Sequence, residues 1–218
     1  MKSRREFLAA GAAVLPALAL SAYASGGSGE LVSASADNLS ANACKKLGGA
    51  SAKYFPNPIV MTHEGRKAWF YDDLIKGKIV GINFMSVQKE DKFPVTRNLA
   101  STQELLGDKL GRDVFLVSVT TDPDRDTPLV LEKFAKAHGA KEGWIFVTGK
   151  SSDMQALYHK LGSHHGHGAM ANHHIWRYGN EPYARWATSH ALARPHQLAQ
   201  RLSWVEVREN PSSPTAQL

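Results

Sequence analysis

Cysteine is almost missing from this sequence. Cys44 is the only one in 218 residues, so no disulfide can close within the chain and no intramolecular dithiol chemistry is possible. It lies in ANACKKL, on a predicted helix, where a small packed side chain accounts for it. Long apolar runs are scarce too. The one of note, FLAAGAAVLPALALSA, is broken by Gly11 and Pro16, which speaks against a permanent membrane anchor. Basic residues form no stripe interleaved with aromatics. The net charge of +6 owes two charges to Lys2, Arg4 and Arg5 against Glu6. The remainder is too modest to argue for nucleic acid.

What is there begins with an export signal. Residues 1–24 place a basic start, MKSRRE, before the apolar run, and a small-x-small site follows at Ala22-Tyr23-Ala24. Arg4 and Arg5, within SRREFL, resemble the twin-arginine signal that exports folded proteins. The mature protein is therefore expected in the periplasm, in contact with membrane only through this signal while it stays uncleaved. Residues 25–49 read as a Ser/Gly/Ala linker and a short helix, Asp37 to Gly48, capped by Asp37 or Asn38. Apolar residues make up 43% of the chain, enough for an ordinary core. A domain is expected over 50–207, with a frayed tail over 208–218.

Strand and helix patterns alternate through that domain. Tyr54 to Thr62 and Lys67 to Tyr71 read as a hairpin turning at His63-Glu64-Gly65. A helical turn, Asp72 to Gly77, leads into an apolar strand, Ile79 to Met85. A polar loop follows, Ser86 to Phe93. Pro94 then starts a helix to about Leu110, with Val95, Leu99 and Leu105 or Leu106 inward. Asp113 to Thr121 is valine-rich, as in a strand buried on both faces. Thr127 caps and Pro128 starts the next helix, which ends near Gly139 and has Leu129, Leu131 and Phe134 among its apolar positions. Trp144 to Thr148 is a third core strand. Ser152 and Gln155 have capping-box spacing for a helix over 153–161. His173 to Tyr178 and Tyr183 to Ala187 form a terminal hairpin about GNEP, and Pro195 starts the last helix. The order is that of an α/β fold, thioredoxin-like, with a mixed central sheet flanked by helices and an N-terminal β-hairpin extension. It puts the Ser86–Phe93 loop where a central strand gives way to its helix, a usual place for chemistry.

Three stretches, YFPNPIVMTHEGRKAWFYDDLIKGKIVGINF, FPVTRNL and VSVTTDPDRDTPLVLEKFAKAHGA, resemble the Sco/SenC family. The resemblance implies a thioredoxin-like copper chaperone whose partners are cytochrome c oxidase assembly factors or subunits. It also implies a working motif, Cys-x-x-x-Cys-Pro at the start of the first helix, with a histidine on a late strand. Two thiolates and an imidazole suit copper and can exchange electrons as a dithiol pair. Lining up the proline at Pro94 puts Lys89 and Phe93 at the two cysteine positions. Phenylalanine has no donor atom, and a lysine ammonium repels a cation. The late histidine falls on His173 or His174, unless Asn172 takes its place.

Histidine density is the strongest chemical signal left. His159, His164, His165, His167, His173 and His174 lie close together. A SHHGHG loop could bring two or three neutral imidazoles onto copper, zinc or nickel. It could equally be a solvated loop, since short histidine tracts give only a compositional hint. Glu90 and Asp91 read as part of a solvated turn, or as two ligands for a harder cation without a third. Trp176, Tyr178, Tyr183 and Trp186 suit a hairpin core, of which an exposed subset could meet a partner. No catalytic residue is assigned. The leading reading is an exported Sco/SenC-like accessory protein, related to copper delivery and oxidase assembly and redox-inactive at the usual dithiol site. The alternatives are a thioredoxin-like oxidoreductase or peroxidase, which lacks its thiolate nucleophile here, and a histidine-based metal-binding protein unrelated to the oxidase.

Overall fold

A computed structural model describes residues 51–162 and 174–206. The export signal with Arg4 and Arg5, the linker, Cys44, the tail and His164, His165, His167 and His173 lie outside the described residues. Seven strands form one sheet: β1 (Ile59–Thr62), β2 (Lys67–Trp69), β3 (Ile79–Met85), β4 (Val114–Thr120), β5 (Trp144–Thr148), β6 (Ile175–Asn180) and β7 (Arg185–His190). Their spatial order is β2-β1-β5-β4-β3-β6-β7. Only β3–β4 and β4–β5 are parallel. The helices are α1 (Phe70–Leu74), α2 (Val95–Leu106), α3 (Pro128–Ala137), α4 (Ser151–Leu157) and α5 (Pro195–Val205). This is the mixed sheet with a leading hairpin that the alternation of patterns predicts. Among the described residues no helix is long and apolar enough to cross a membrane.

Both faces of the sheet are covered. Leu99 and Leu106 of α2, Leu131 of α3, and Leu198 and Leu202 of α5 pack with Leu116, Trp144, Phe146 and Trp176 in one core. Phe70 and Tyr71 of α1 and Met154 and Leu157 of α4 pack with Val80, Ile82, Phe84 and Val117 in the other. The central strands therefore have no solvent face, which explains their unbroken apolar runs. A buried polar chain crosses the first core: Trp144 Nε1–H donates to Ser118 Oγ (2.9 Å), whose hydroxyl donates to Asn83 Oδ1 (2.7 Å).

Several boundaries differ from the sequence expectation, each for a local reason. β1 begins at Ile59 because Pro56 and Pro58 offer no N–H to a ladder. Phe70 and Tyr71 leave β2 for α1, where Asn57 Oδ1 accepts from Tyr71 N–H (2.8 Å) and Asp72 N–H (3.2 Å). α2 stops at Leu106 because Gly107 turns to φ 52°. Leu106 is its inward residue and Leu105 is 57% exposed. Thr127 and Pro128 cap and start α3 as predicted, but Leu129 is exposed. The capping box of Ser152 and Gln155 does not form. α4 starts two residues earlier, Ser151 Oγ–H donates to Asp124 Oδ1 (3.2 Å), and the helix runs on as a π-helical turn, Tyr158–Gly162. The last hairpin keeps Gly179 and Asn180 in β6 and turns over Glu181–Tyr183, with Ala184 left-handed at φ 49°. β7 is thereby displaced to Arg185–His190. Trp176 and Tyr178 are core residues, Trp186 is partly buried and Tyr183 is exposed.

Candidate functional site

The Ser86–Phe93 loop leaves the carboxyl end of β3 and enters α2. A short 3-10 turn, Val87–Lys89, fills its first half. The second half is closed by Phe93 N–H donating to Lys89 C=O (2.8 Å) and Lys92 N–H donating to the same oxygen (3.1 Å). That pair of bonds sets residues 89 and 93 on one tight turn.

Glu90 is the residue whose role the sequence conceals. It is 5% exposed, not a solvated charge. Its Oε2 accepts from Thr96 N–H (3.1 Å) and its Oε1 from Arg97 N–H (2.8 Å). These amides are in the first turn of α2, whose N-cap residue, Pro94, makes no side-chain cap. The carboxylate therefore satisfies orphan donors and faces the positive end of the helix dipole from a residue outside the helix. Pro94 stands before the first helical residue, one place earlier than its usual position. Asp91 is exposed, so the structure does not gather Glu90 and Asp91 onto one ion. Replacing Glu90 with alanine strips both amides of their acceptor. It is expected to cost about 1–2 kcal/mol, read as a lower urea midpoint with unchanged slope.

A second buried carboxylate holds the loop from the side. Asp126, in the DPDRDTP stretch, is 1% exposed. Its Oδ2 accepts from Thr120 Oγ1–H (2.5 Å) and from Val87 N–H (3.3 Å). Burial pushes this carboxyl above its usual range, against the opposing pull of those two donors. Arg125 Nη1–H donates to Gln88 Oε1 (2.5 Å), and Thr121 N–H donates to Met85 C=O (2.8 Å). Three of these bonds, to Val87, Gln88 and Met85, stitch the end of β4 and its loop to the end of β3 and the loop after it.

His174 stands beside this loop. Its ring meets Phe93 edge to face, with centroids 4.4 Å apart. It immediately precedes β6, and its carbonyl accepts from Ala191 N–H (2.5 Å). His190, at the end of β7, has its ring centroid 5.3 Å from that of His174, with the planes inclined by 32°. Asn98 of α2 fixes this corner: its amide donates to the carbonyls of Ala191 and Ala193, both at 2.8 Å. The structure therefore brings Phe93 and His174 together and adds His190, which the sequence reading left out. Its signal is a strand register, Ile175 opposite His190, visible only once the hairpin turn has been located. His159 sits apart, with Lys89, Thr121 and Gln155 on the wall of a cleft of about 370 Å³.

The donor set can be tested against copper on chemistry alone. Positions 89 and 93 carry an ammonium and a hydrocarbon ring, so the two thiolates that suit a soft cuprous ion are not there. These residues do not fit such a centre. Among the described residues no group of three or more His, Cys, Asp or Glu side chains could hold a metal ion.

With that geometry in hand, comparison with known proteins decides the lineage. The sequence model of SCO1/SenC matches residues 66–175, half of the chain. This chain belongs to the SCO1/SenC family. No curated protein sequence matches it. Solved structures share its thioredoxin-like fold. Bradyrhizobium japonicum ScoI with copper bound is 14% identical, with a TM-score of 0.54, over 70% of this chain and 99% of that one. Yeast Sco1 with copper bound is 16% identical, with a TM-score of 0.54, over 69% and 90%. BsSco is described as a member of the Sco family of cytochrome c oxidase assembly proteins with a disulfide switch. It is 16% identical, with a TM-score of 0.57, over 70% and 92%. At such identities the likeness is one of fold. Within that fold, this SCO1/SenC chain carries Lys89 and Phe93 just before α2, with His174 against Phe93 and His190 beside His174.

Proposed function

We propose that this chain is an exported accessory protein of cytochrome c oxidase assembly, acting beside copper delivery and without thiol–disulfide exchange. The observation that carries the reading is the family match across residues 66–175 together with a hydrogen-bonded turn that joins residues 89 and 93 but holds no thiol at either. BsSco supports the kind of partner, since it is an oxidase assembly protein. The copper-bound relatives support the kind of cargo. The basic start and small-x-small site of residues 1–24 support the periplasm, by the twin-arginine route through Arg4 and Arg5. A lone Cys44 supports the absence of a redox cycle within the chain.

Deleting the gene in the source organism tests this. Cytochrome c oxidase activity in membranes is expected to fall when copper is limiting, and to return with either the wild-type chain or its Cys44→Ser variant. Fractionation of the same cells is expected to place the processed protein in the periplasm. Unchanged oxidase activity at limiting copper would overturn the reading. Peroxidase or disulfide-reductase turnover by the purified chain that survives Cys44→Ser would replace it with the enzyme alternative.

A further inference from the structure

We propose that His174 and His190 form a two-imidazole site for a borderline divalent cation of the zinc or cupric class, beside the position of the missing dithiol and without a ligand from residue 89 or 93. The proposal does not rest on a role in oxidase assembly. Two imidazoles that share one ion through bonds of about 2.0–2.1 Å, at a tetrahedral angle, have ring centres roughly 5 Å apart. The observed separation is 5.3 Å. Imidazole is a ligand for zinc, copper and nickel, whereas a soft cuprous ion favours thiolate and thioether. The change of donors therefore changes the ion that is preferred.

The two rings come from elements that are held independently of any metal. Asn98 clamps the chain just after His190 through the carbonyls of Ala191 and Ala193. Ala191 N–H in turn holds His174 by its carbonyl. Phe93 packs edge to face on His174 and offers no competing donor atom. The Asn98 and Ala191 bonds fix the backbone that carries both rings. His190 is exposed, so water can complete the coordination shell from outside.

One hydrogen bond dictates how His190 would engage. Leu192 N–H donates to its Nδ1 (3.2 Å), so the neutral ring carries its proton on Nε2. Binding at Nε2 moves that proton to Nδ1 and releases Leu192 N–H. No proton is lost to solvent when the ring starts neutral. The amide of Leu192 thus becomes a reporter that a cation bound elsewhere would not move.

The experiment uses the full chain with His164, His165, His167 and His173 changed to alanine, which removes the other histidines of that histidine-rich stretch of sequence. Zinc ion alone is titrated against a competing chelator dye, with the Leu192 amide followed by NMR. We expect one zinc ion per chain, a shifted Leu192 amide, and loss of binding in His190→Ala and His174→Ala. The loss should exceed the roughly 10–100-fold that removing an outer-shell partner costs. His190→Ala, at an exposed strand end, is the variant expected to keep the fold, checked by an unchanged urea midpoint. Zinc binding that is unaffected by His190→Ala would overturn the proposal. So would binding that leaves Leu192 in place, or the absence of competitive binding. None of these outcomes bears on the oxidase phenotype, so the two readings fail separately.

Discussion

Changing Glu181 to alanine is expected to cost about 3–5 kcal/mol, a large part of the stability of a domain this size. Glu181 is 2% exposed at the turn between β6 and β7. Its Oε1 accepts from Ser51 N–H (3.0 Å) and Tyr71 Oη–H (2.6 Å), and its Oε2 from Gly77 N–H (2.8 Å). Hydrogen bonds to a charged group contribute about 1.5–3 kcal/mol each, and truncation leaves three donors without an acceptor in a water-poor site. The contacts join residues 104 to 130 positions apart, so the residue ties the start of the domain and the entry to β3 to the last hairpin.

The sign of the pH dependence follows from the same bonds. Burial alone would raise the Glu181 carboxyl, but the donors from Tyr71, Gly77 and Ser51 outweigh it and hold the group below its ordinary value. Burial and the adjacent carboxylate raise the Tyr71 hydroxyl. A carboxyl depressed in the folded state adds stability that is fully present above its unfolded value. That stability is lost as pH falls through the folded one. Urea midpoints of the wild type should therefore decline into the acid range, below the usual carboxylate value of about 4.3. The decline should be shallower in Glu181→Gln, which keeps the volume but cannot ionise. An identical acid limb in the two proteins would remove Glu181 as its source.

Gly143→Ala is the other substitution with a large expected effect. Gly143 precedes β5 at φ 89°, and a Cβ there would sit 2.3 Å from Gly111 N and 2.4 Å from Gly111 Cα. Both neighbours are backbone, which cannot swing away as a side chain can. A Cβ at Gly111, at φ 84°, would in turn sit 3.1 Å from the Glu142 carbonyl oxygen, a tight but less severe approach. The two glycines let the entries to β4 and β5 lie backbone against backbone, and Leu116 N–H donates to Gly143 C=O (2.8 Å) beside them. Left-handed strain and overpacking together are expected to cost about 3 kcal/mol or more. Gly139→Ala is the internal control. Its φ is 62°, but nothing lies within 4 Å of its Cβ position, so only the roughly 1 kcal/mol of strain should appear. Equal midpoint shifts for the two variants would show that crowding at Gly143 contributes nothing.

Where residues speak through periodicity, the fold was legible from sequence. The valine run of β4, the Thr127–Pro128 start of α3 and the apolar β3 all stand where their patterns put them. The element ends were less so, because they depend on contacts from afar. Asn57 draws Phe70 and Tyr71 into α1 from 14 residues away. Asp124 takes the Ser151 hydroxyl at the start of α4. The site followed the same division. Lys89 and Phe93 could be placed by counting back from Pro94. Glu90 reads as one charge among four in KEDK, and nothing in a linear run says that its carboxylate turns inward to amides at 96 and 97. His190 stays hidden because a cross-strand neighbour is a property of the register.

The loop's hydrogen bonds carry a further meaning for anyone who would re-equip it. Backbone groups, Glu90, Gln88, Asp126 and Arg125 set its course. None of these bonds uses the side chain of residue 89 or of residue 93. The holder is thus separable from what it holds, like a socket that keeps its form when the fitting is exchanged. Two substitutions at 89 and 93 would alter the chemistry on offer while leaving every strut of the socket in place.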